Sequence, residues 1–287
     1  MLKKVLILGL AILSFRSLYA SDISDVDHNH FGRVYKKVAL VTGGASGIGE
    51  ATCLELSKEG AKVAVTDINK ERGESVVKQI TASGGVATFF SMDITDESAV
   101  ESTIKEVVAA WGSIDILVNN AGVPGANKPT DKVTVEEWDY GLGLNTKGVF
   151  LCTKHSVPFM KEQRKGGSII NVSSVFGVIG SGGVSPYHAA KGAIRAMTKN
   201  DAVTYGVHGI RVNSVHPSSV RTPMTHEYAD NYPGGIEKFY EDIGKMHPLG
   251  RVAEPLEIAK AIVFLASNDA SFITGAELMV DGGFTAK

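Results

Sequence analysis

Cysteine is scarce, with only Cys53 and Cys152 in 287 residues. They fall in separate predicted helices with neither a CxxC spacing nor a histidine cluster beside them, which excludes a disulfide framework and a thiol-redox or zinc centre built on paired cysteines. Buried, inert thiols are the expectation, and no metal site is expected. Net charge is nearly absent too: 29 Lys and Arg against 31 Asp and Glu leave a formal −2, too little to favour nucleic acid or another polyanion. The chain lacks internal repeats and low-complexity tracts, which argues against solenoids and disordered arrays. No apolar run approaches the ~18 residues of a membrane-spanning helix, so no membrane domain is expected. Hydrophobic residues at 44% and charged residues at 21% match an ordinary globular protein. The length suits one large α/β domain, with no comfortable room for a second.

The N-terminus differs in kind from the rest. Lys3 and Lys4 precede an apolar stretch from Val5 to Leu13, followed by Ser14 to Ala20. A basic start, a short apolar middle and a small residue at a cleavage point after Ala20 are the layout of a secretory signal peptide. Arg16 and Leu18 depart from that layout, which leaves an uncleaved anchor or a misassigned start as alternatives. Residues 21–36 read as a polar linker. Its Asp22, Asp25, Asp27, His28 and His30 have no strand or helix to frame them, so a solvated tail is expected rather than a metal site.

From Lys37 onward, apolar strand-like runs alternate with longer segments of helical period, the pattern of repeated βα units around a buried parallel sheet. Candidate strands are Val38 to Thr42, Lys62 to Thr66, Val86 to Phe90, Ile116 to Asn119, Ser168 to Val172, Ile210 to Val215 and Leu278 to Val280. Helices are expected near Gly47 to Lys58, Lys70 to Ala82, Glu97 to Ala110, Val135 to Glu162 (long enough to hold a break), Ser185 to Tyr205 and Pro255 to Ser267. The fold class is therefore α/β: a single doubly wound (Rossmann) domain over 37–287, with a seven-stranded parallel sheet and helices on both faces. Ligands in such a sheet gather outside the carboxyl ends of the strands. Residues 221–251 interrupt the rhythm at that edge with Pro223, Pro233, Gly234, Gly235 and Pro248, and a substrate lid is expected there, against the alternative of a peripheral helical pair.

The first strand runs directly into Gly43-Gly44-Ala45-Ser46-Gly47-Ile48-Gly49 and then a helical pattern. Glycines between a strand and a helix start let the backbone turn tightly and approach a pyrophosphate, whose charge is stabilised by free N–H groups and the helix dipole. Asp67 ends the second strand, about twenty residues further on, where a carboxylate accepts hydrogen bonds from ribose hydroxyls and repels a 2′-phosphate. Gly44, Ala45 and Ser46 supply no cation for such a phosphate, so NAD is expected rather than NADP. Lys70 and Arg72 read as surface charges of the following helix.

The glycine turn has the form TGxxxGxG. With Asn119-Asn120-Ala121-Gly122 and the sequence to the C-terminus, it resembles the short-chain dehydrogenase/reductase family over roughly residues 36–287. The resemblance implies that Gly43, Ser46, Gly47, Ile48 and Gly49 hold the dinucleotide. It also implies that Asn119, Asn120, Ala121 and Gly122 steady the central sheet and flank the adenine ribose, and that Asp93 and Ile94 lie beside the adenine ring.

Tyr187 and Lys191 form a YxxxK pair whose i, i+4 spacing puts both on one face of a helix. An ammonium there favours the phenolate and so makes the tyrosine a usable base. Ser174 precedes Tyr187 by thirteen residues, the family spacing, and the resemblance adds Asn145 to give a tetrad of Asn145, Ser174, Tyr187 and Lys191. It implies that Tyr187 exchanges the hydroxyl proton while hydride moves to or from the nicotinamide. Ser174 would hold the reacting oxygen, Lys191 the nicotinamide ribose, and Asn145 a water relaying protons. Pro217, Val220 and Thr222 are implied at the nicotinamide, although Ser218 stands where the family usually has glycine. Thr274 to Gly283 is family-like as well, and implies a last strand that packs in a homodimer or homotetramer.

The expected activity is oxidation or reduction of a small-molecule secondary alcohol or ketone, with steroids or cyclic alcohols suggested by resemblance. Phe176, Val178, Val184, His188, Met224 and Tyr228 are candidate pocket residues. A 3-oxoacyl-acyl-carrier-protein reductase and a non-catalytic NAD-binding scaffold are the alternatives. Residues 1–20 imply export, whereas an NAD requirement implies the cytoplasm.

Overall fold

The structure, a computed structural model, describes residues 32–229 and 232–286, without the side chains of 227 and 228. The signal-peptide-like segment and the Asp/His tail lie outside the described residues, as does the Tyr228 side chain. One compact unit starts at Arg33; within it Val34 is buried and its N–H donates to Glu59 O at 3.1 Å.

The described residues form seven strands: β1 Val38–Thr42, β2 Lys62–Asp67, β3 Val86–Ser91, β4 Ile116–Asn119, β5 Gly167–Val172, β6 Ile210–Pro217 and β7 Glu277–Val280. They form one sheet in the order β3-β2-β1-β4-β5-β6-β7, and every neighbouring pair is parallel. The order reverses between β1 and β4, which opens a crevice at their carboxyl ends. The helices are α1 Gly47–Lys58, α2 Lys70–Ala82, α3 Glu97–Trp111, α4 Val135–Leu142, α5 Gly148–Glu162, α6 Ser185–Tyr205, α7 Pro223–Ala229, α8 Gly235–Gly244 and α9 Pro255–Ala266. The expected strands and helices all occur, with ends moved by a residue or two.

Alternate β1 side chains point to opposite faces, as the strand period of two requires. Ala39 and Val41 pack with α1, α2 and α9 through residues such as Leu56, Ile80 and Ile262. Val38 and Leu40 pack with α3 and α5 through Ile104, Val107, Leu151 and Met160. Cys53 and Cys152 are buried on these two different faces. Burial pushes the Cys152 thiol up to about 12 and the Cys53 thiol higher still, so neither is a ready thiolate.

The helical segment over Val135–Glu162, expected with room for a break, is α4 and α5 joined through a π-helical turn at Gly143–Lys147. Residues 221–251 carry two helices, α7 and α8, at the carboxyl edge of the sheet.

Candidate active site

One cleft of about 780 Å³ runs across the carboxyl ends of β1, β4, β5 and β6, within the roughly 300–1,000 Å³ of small-molecule sites. Its dinucleotide end is built on the β1–α1 turn. Gly43 and Gly47 take positive φ of 64° and 55°, which side chains resist. A Cβ at Gly49 would lie 1.9 Å from Gly43 O. The cradle thus has no room for side chains where a phosphate must approach the N-terminus of α1. Ser46, at the N-cap, and Ile48 join Gly43 and Gly47 in the cleft wall.

Asp67 reaches back to this turn: it accepts from Ala45 N–H at 3.2 Å and Asn69 N–H at 2.9 Å, which fixes the carboxylate and leaves lone pairs free for hydroxyl donors. Lys70 pairs with Glu74 at 3.8 Å as a surface charge, and Arg72 lines a separate hollow behind Ala45 and Ser46. Asp93 and Ile94 lie at the same end of the cleft, with Asp93 accepting from Thr95 N–H and Oγ1 at 2.8 and 2.7 Å.

Asn120, Ala121 and Gly122 form the facing wall. Asn120 Nδ2 donates to Thr42 O at 2.9 Å, and Thr42 Oγ1 accepts from the N–H groups of Asn120 and Ala121 at 3.0 Å each, locking the two loops together. Asn119 is buried below, where Nδ2 donates to Asn171 Oδ1 at 2.8 Å and Asn171 Nδ2 donates to Thr198 Oγ1 at 2.9 Å. This amide chain runs from β4 through β5 to α6, the helix that carries Tyr187 and Lys191, and sets its position.

Ser174, Tyr187 and Lys191 all line the opposite end of the cleft. Lys191 is buried, its Nζ donates to Val172 O at 2.8 Å and lies 5.3 Å from the Tyr187 ring centroid. Burial pulls its ammonium down to about 8. The Tyr187 ring meets Phe176 edge-on at 6.4 Å. Val184 starts α6 with φ 50°, an unusual conformation for a β-branched residue. Its carbonyl accepts from the N–H groups of Tyr187 and His188 at 2.9 and 3.1 Å. Strain held this close to a reactive side chain is a mark of functional sites.

Ser174 accepts from Phe176 N–H at 3.1 Å, and its own carbonyl is fixed by His216, a residue sequence reasoning did not select. His216 Nδ1 donates to Ser174 O at 3.0 Å and Nε2 lies 2.8 Å from Ser214 Oγ. Burial lowers the pKa of this ring, which favours the neutral form. Asn145 is fully buried in the π-helical turn. Its Oδ1 accepts from Val123 N–H at 3.0 Å and its Nδ2 donates to Val123 O and Gly141 O at 3.0 and 2.9 Å, so its side chain holds the loop after β4.

Pro217, Ser218, Val220 and Thr222 complete the floor. Among the candidate pocket residues, Phe176, Val184 and Met224 line the cleft. His188 instead ties α6 to the Ser174–Ser181 segment, with Nδ1 2.6 Å from Phe176 O and Nε2 2.7 Å from Ser181 Oγ, and Val178 is partly exposed outside the lining. Phe239, Ile243 and Phe284 are wall residues that sequence reasoning missed. The first two sit at i, i+4 on α8, a spacing that could have revealed them, whereas Phe284 carries no sequence signal.

A family model described as Enoyl-(Acyl carrier protein) reductase matches residues 43–285. The chain is 45% identical over 250 residues to the 2,5-dichloro-2,5-cyclohexadiene-1,4-diol dehydrogenase of Sphingobium indicum, covering 87% of this chain and 97% of that one. It is 42% identical over 255 residues to the cyclopentanol dehydrogenase of Comamonas testosteroni, covering 89% and 99%. A 3-oxoacyl-[acyl-carrier-protein] reductase of Thermotoga maritima is 41% identical over 251 residues, covering 88% and 98%. Among solved structures, levodione reductase superposes with a TM-score of 0.85 at 36% identity, covering 88% of this chain and 99% of that one. The chain belongs to the short-chain dehydrogenase/reductase family. It is an oxidoreductase that interconverts a secondary alcohol and a ketone, and the family's cofactor is a nicotinamide dinucleotide. Among the described residues, no helix is long and apolar enough to cross a membrane.

Proposed function

We propose that this enzyme is an NAD-dependent dehydrogenase of compact, uncharged secondary alcohols, cyclic alcohols in particular, with Tyr187 as the acid/base. One observation carries the reading: a single cleft joins Asp67 at its dinucleotide end to Ser174 and Tyr187 at the other, and Asp67, Asp93 and Lys191 are the only charged side chains lining it among the described residues. The names of the cyclopentanol and cyclohexadiene-diol dehydrogenases agree with an apolar, uncharged substrate end.

The glycine turn would receive the pyrophosphate, Asp67 the adenosine ribose hydroxyls, Asp93 and Ile94 the adenine, and Pro217, Val220 and Thr222 the nicotinamide. When bound, the nicotinamide supplies the hydride acceptor or donor. In oxidation the Tyr187 phenolate takes the hydroxyl proton as the carbinol C–H hydride leaves, and in reduction the phenol returns a proton to the ketone oxygen. Ser174 Oγ holds the reacting oxygen. Lys191 binds the nicotinamide ribose and stabilises the phenolate. Asn145 keeps the loop after β4 in place, and a relay water would meet its backbone rather than its occupied amide. Helices α7 and α8 serve as the lid, with Met224, Phe239 and Ile243 facing the substrate.

Cyclohexanol oxidation followed at the nicotinamide band, with NAD and with NADP, tests the reading. Turnover with NAD is expected to exceed that with NADP, and Asp67→Ala is expected to lower the NAD to NADP ratio of kcat/KM by about 10–100-fold through lost ribose hydrogen bonds and lost repulsion. Arg72, behind Ala45, is the cation that would then reach a 2′-phosphate. A wild-type preference for NADP, or turnover of 3-oxoacyl thioesters far above that of alcohols, would favour the acyl-carrier-protein reductase reading that the Thermotoga relative represents. Binding of dinucleotide with no turnover of either substrate would favour the scaffold.

The same reading includes a homodimer or homotetramer, supported by the resemblance of Thr274 to Gly283, around the last strand, to the family. Light scattering is expected to give a multiple of the 30.4 kDa chain mass, and a monomer at micromolar concentration would contradict it.

A further inference from the structure

Ser218 occupies a family glycine position, yet its φ lies outside the left-handed region, so the backbone has no need of glycine there. The hydroxyl has partners instead. Ser218 Oγ lies 2.8 Å from His247 Nε2 and 3.3 Å from Asp281 O, while His247 Nδ1 donates to Ile243 O at 2.9 Å. The Ser218 hydroxyl thus bridges His247 Nε2 and the Asp281 carbonyl. His247 is buried at 4% exposure and stacks on Phe284, with ring centroids 5.0 Å apart and planes tilted by 38°. One side chain therefore touches the end of α8, the loop after β6 and the C-terminal tail.

The tail is pinned independently. The Asp281 carboxylate accepts from Gly283 N–H at 3.0 Å and from Thr285 N–H and Oγ1 at 2.8 and 2.6 Å. Gly282 O accepts from Leu249 N–H at 3.2 Å. Phe284, Ile243 and Ser218 all line the cleft.

We infer that His247, latched to Ser218, is a positioning residue that joins α8 and the tail into one wall of the substrate end, and that Phe284 on this wall sets specificity by limiting substrate bulk. A glycine at 218 would leave His247 Nε2 without this partner and free the joined wall from the loop after β6. The inference rests on the proposed alcohol dehydrogenase activity for its kinetic half only.

Two measurements test it, on Ser218→Gly, His247→Phe and Phe284→Ala. In dinucleotide-free protein, amide hydrogen exchange over 235–244 and 282–286 is expected to rise together by about tenfold in Ser218→Gly, with the β1 and β4 amides unchanged. His247→Phe keeps the ring and loses both nitrogens; adding Ser218→Gly to it is expected to cost nothing further, so that the double variant matches His247→Phe, the sign of one shared interaction. In kinetics with cyclopentanol and 4-tert-butylcyclohexanol, Phe284→Ala is expected to shift the kcat/KM ratio toward the bulky alcohol by about tenfold, mainly through KM. Exchange rising in one segment only, additive losses in the double variant, or an unchanged ratio would overturn the inference. If the wild type turns over neither alcohol, the proposed function fails while the exchange experiment still decides whether the latch exists. If His247→Phe does not fold, Ser218→Gly, which restores the family residue, carries the test.

Discussion

Tyr187→Phe is expected to lower kcat for cyclohexanol oxidation by about 10²–10⁴-fold, the range for removing a general acid–base group, while NADH binding stays close to the wild type. The substitution deletes one oxygen and keeps the ring, whose edge-on contact with Phe176 at 6.4 Å survives. Its backbone anchor to Val184 O is untouched, so α6 should start in the same place. Loss of turnover with binding retained therefore reports on the proton and not on the fold. Fluorescence titration with NADH and steady-state rates on the same preparation supply both numbers. Near-normal turnover would remove Tyr187 as acid/base and make Ser174 the next candidate, since its hydroxyl lines the same end of the cleft.

The parts of the enzyme that could be read from sequence are those in which local chemistry and tertiary position coincide. Central parallel strands are buried on both faces, so β1 and β4 stand out as apolar runs up to their last residue. The glycine turn is legible because Gly43 and Gly47 need positive φ and Gly49 has no space for a Cβ, leaving few other residues able to serve. Tyr187 and Lys191 share a helix face at a fixed spacing. The π-helical turn at Gly143–Lys147 was not legible, because an i→i+5 turn inserted between α4 and α5 leaves the helical period on either side nearly unchanged. The substrate wall was the least legible part. Phe284 comes from a segment distant in sequence from Phe239 and Ile243, and His247 links Ile243 and Phe284 through a ring nitrogen and a stacked ring whose partners meet only in the folded chain. His188 shows the reverse error: expected as a pocket residue, it bonds the Phe176–Ser181 segment through both ring nitrogens.

Lys191→Met is expected to separate catalysis from stability through pH. In the dinucleotide-free protein, burial lowers the Lys191 pKa from 10.5 to about 8, because the surrounding core solvates the ammonium less well than water. The charged form, which the phenolate needs beside it, prevails below about 8 and is lost as pH rises through that value. Methionine keeps the length of the side chain and removes the charge. The variant is expected to lose about 10²–10³-fold in kcat/KM near pH 7, and to recover part of that as pH approaches the ordinary range of a phenol. Stability should move the other way. Between the folded and unfolded pKa values the unfolded lysine binds more protons than the folded one, so rising pH favours the native state. Urea unfolding of the wild type is expected to gain roughly 1–2 kcal/mol between about pH 8 and 9.5 relative to Lys191→Met, the difference cancelling groups common to both proteins. Parallel stability curves would mean that Lys191 titrates as it does in water and is not desolvated. An activity profile with the wild-type shape would mean that the Tyr187 proton is governed by another cation.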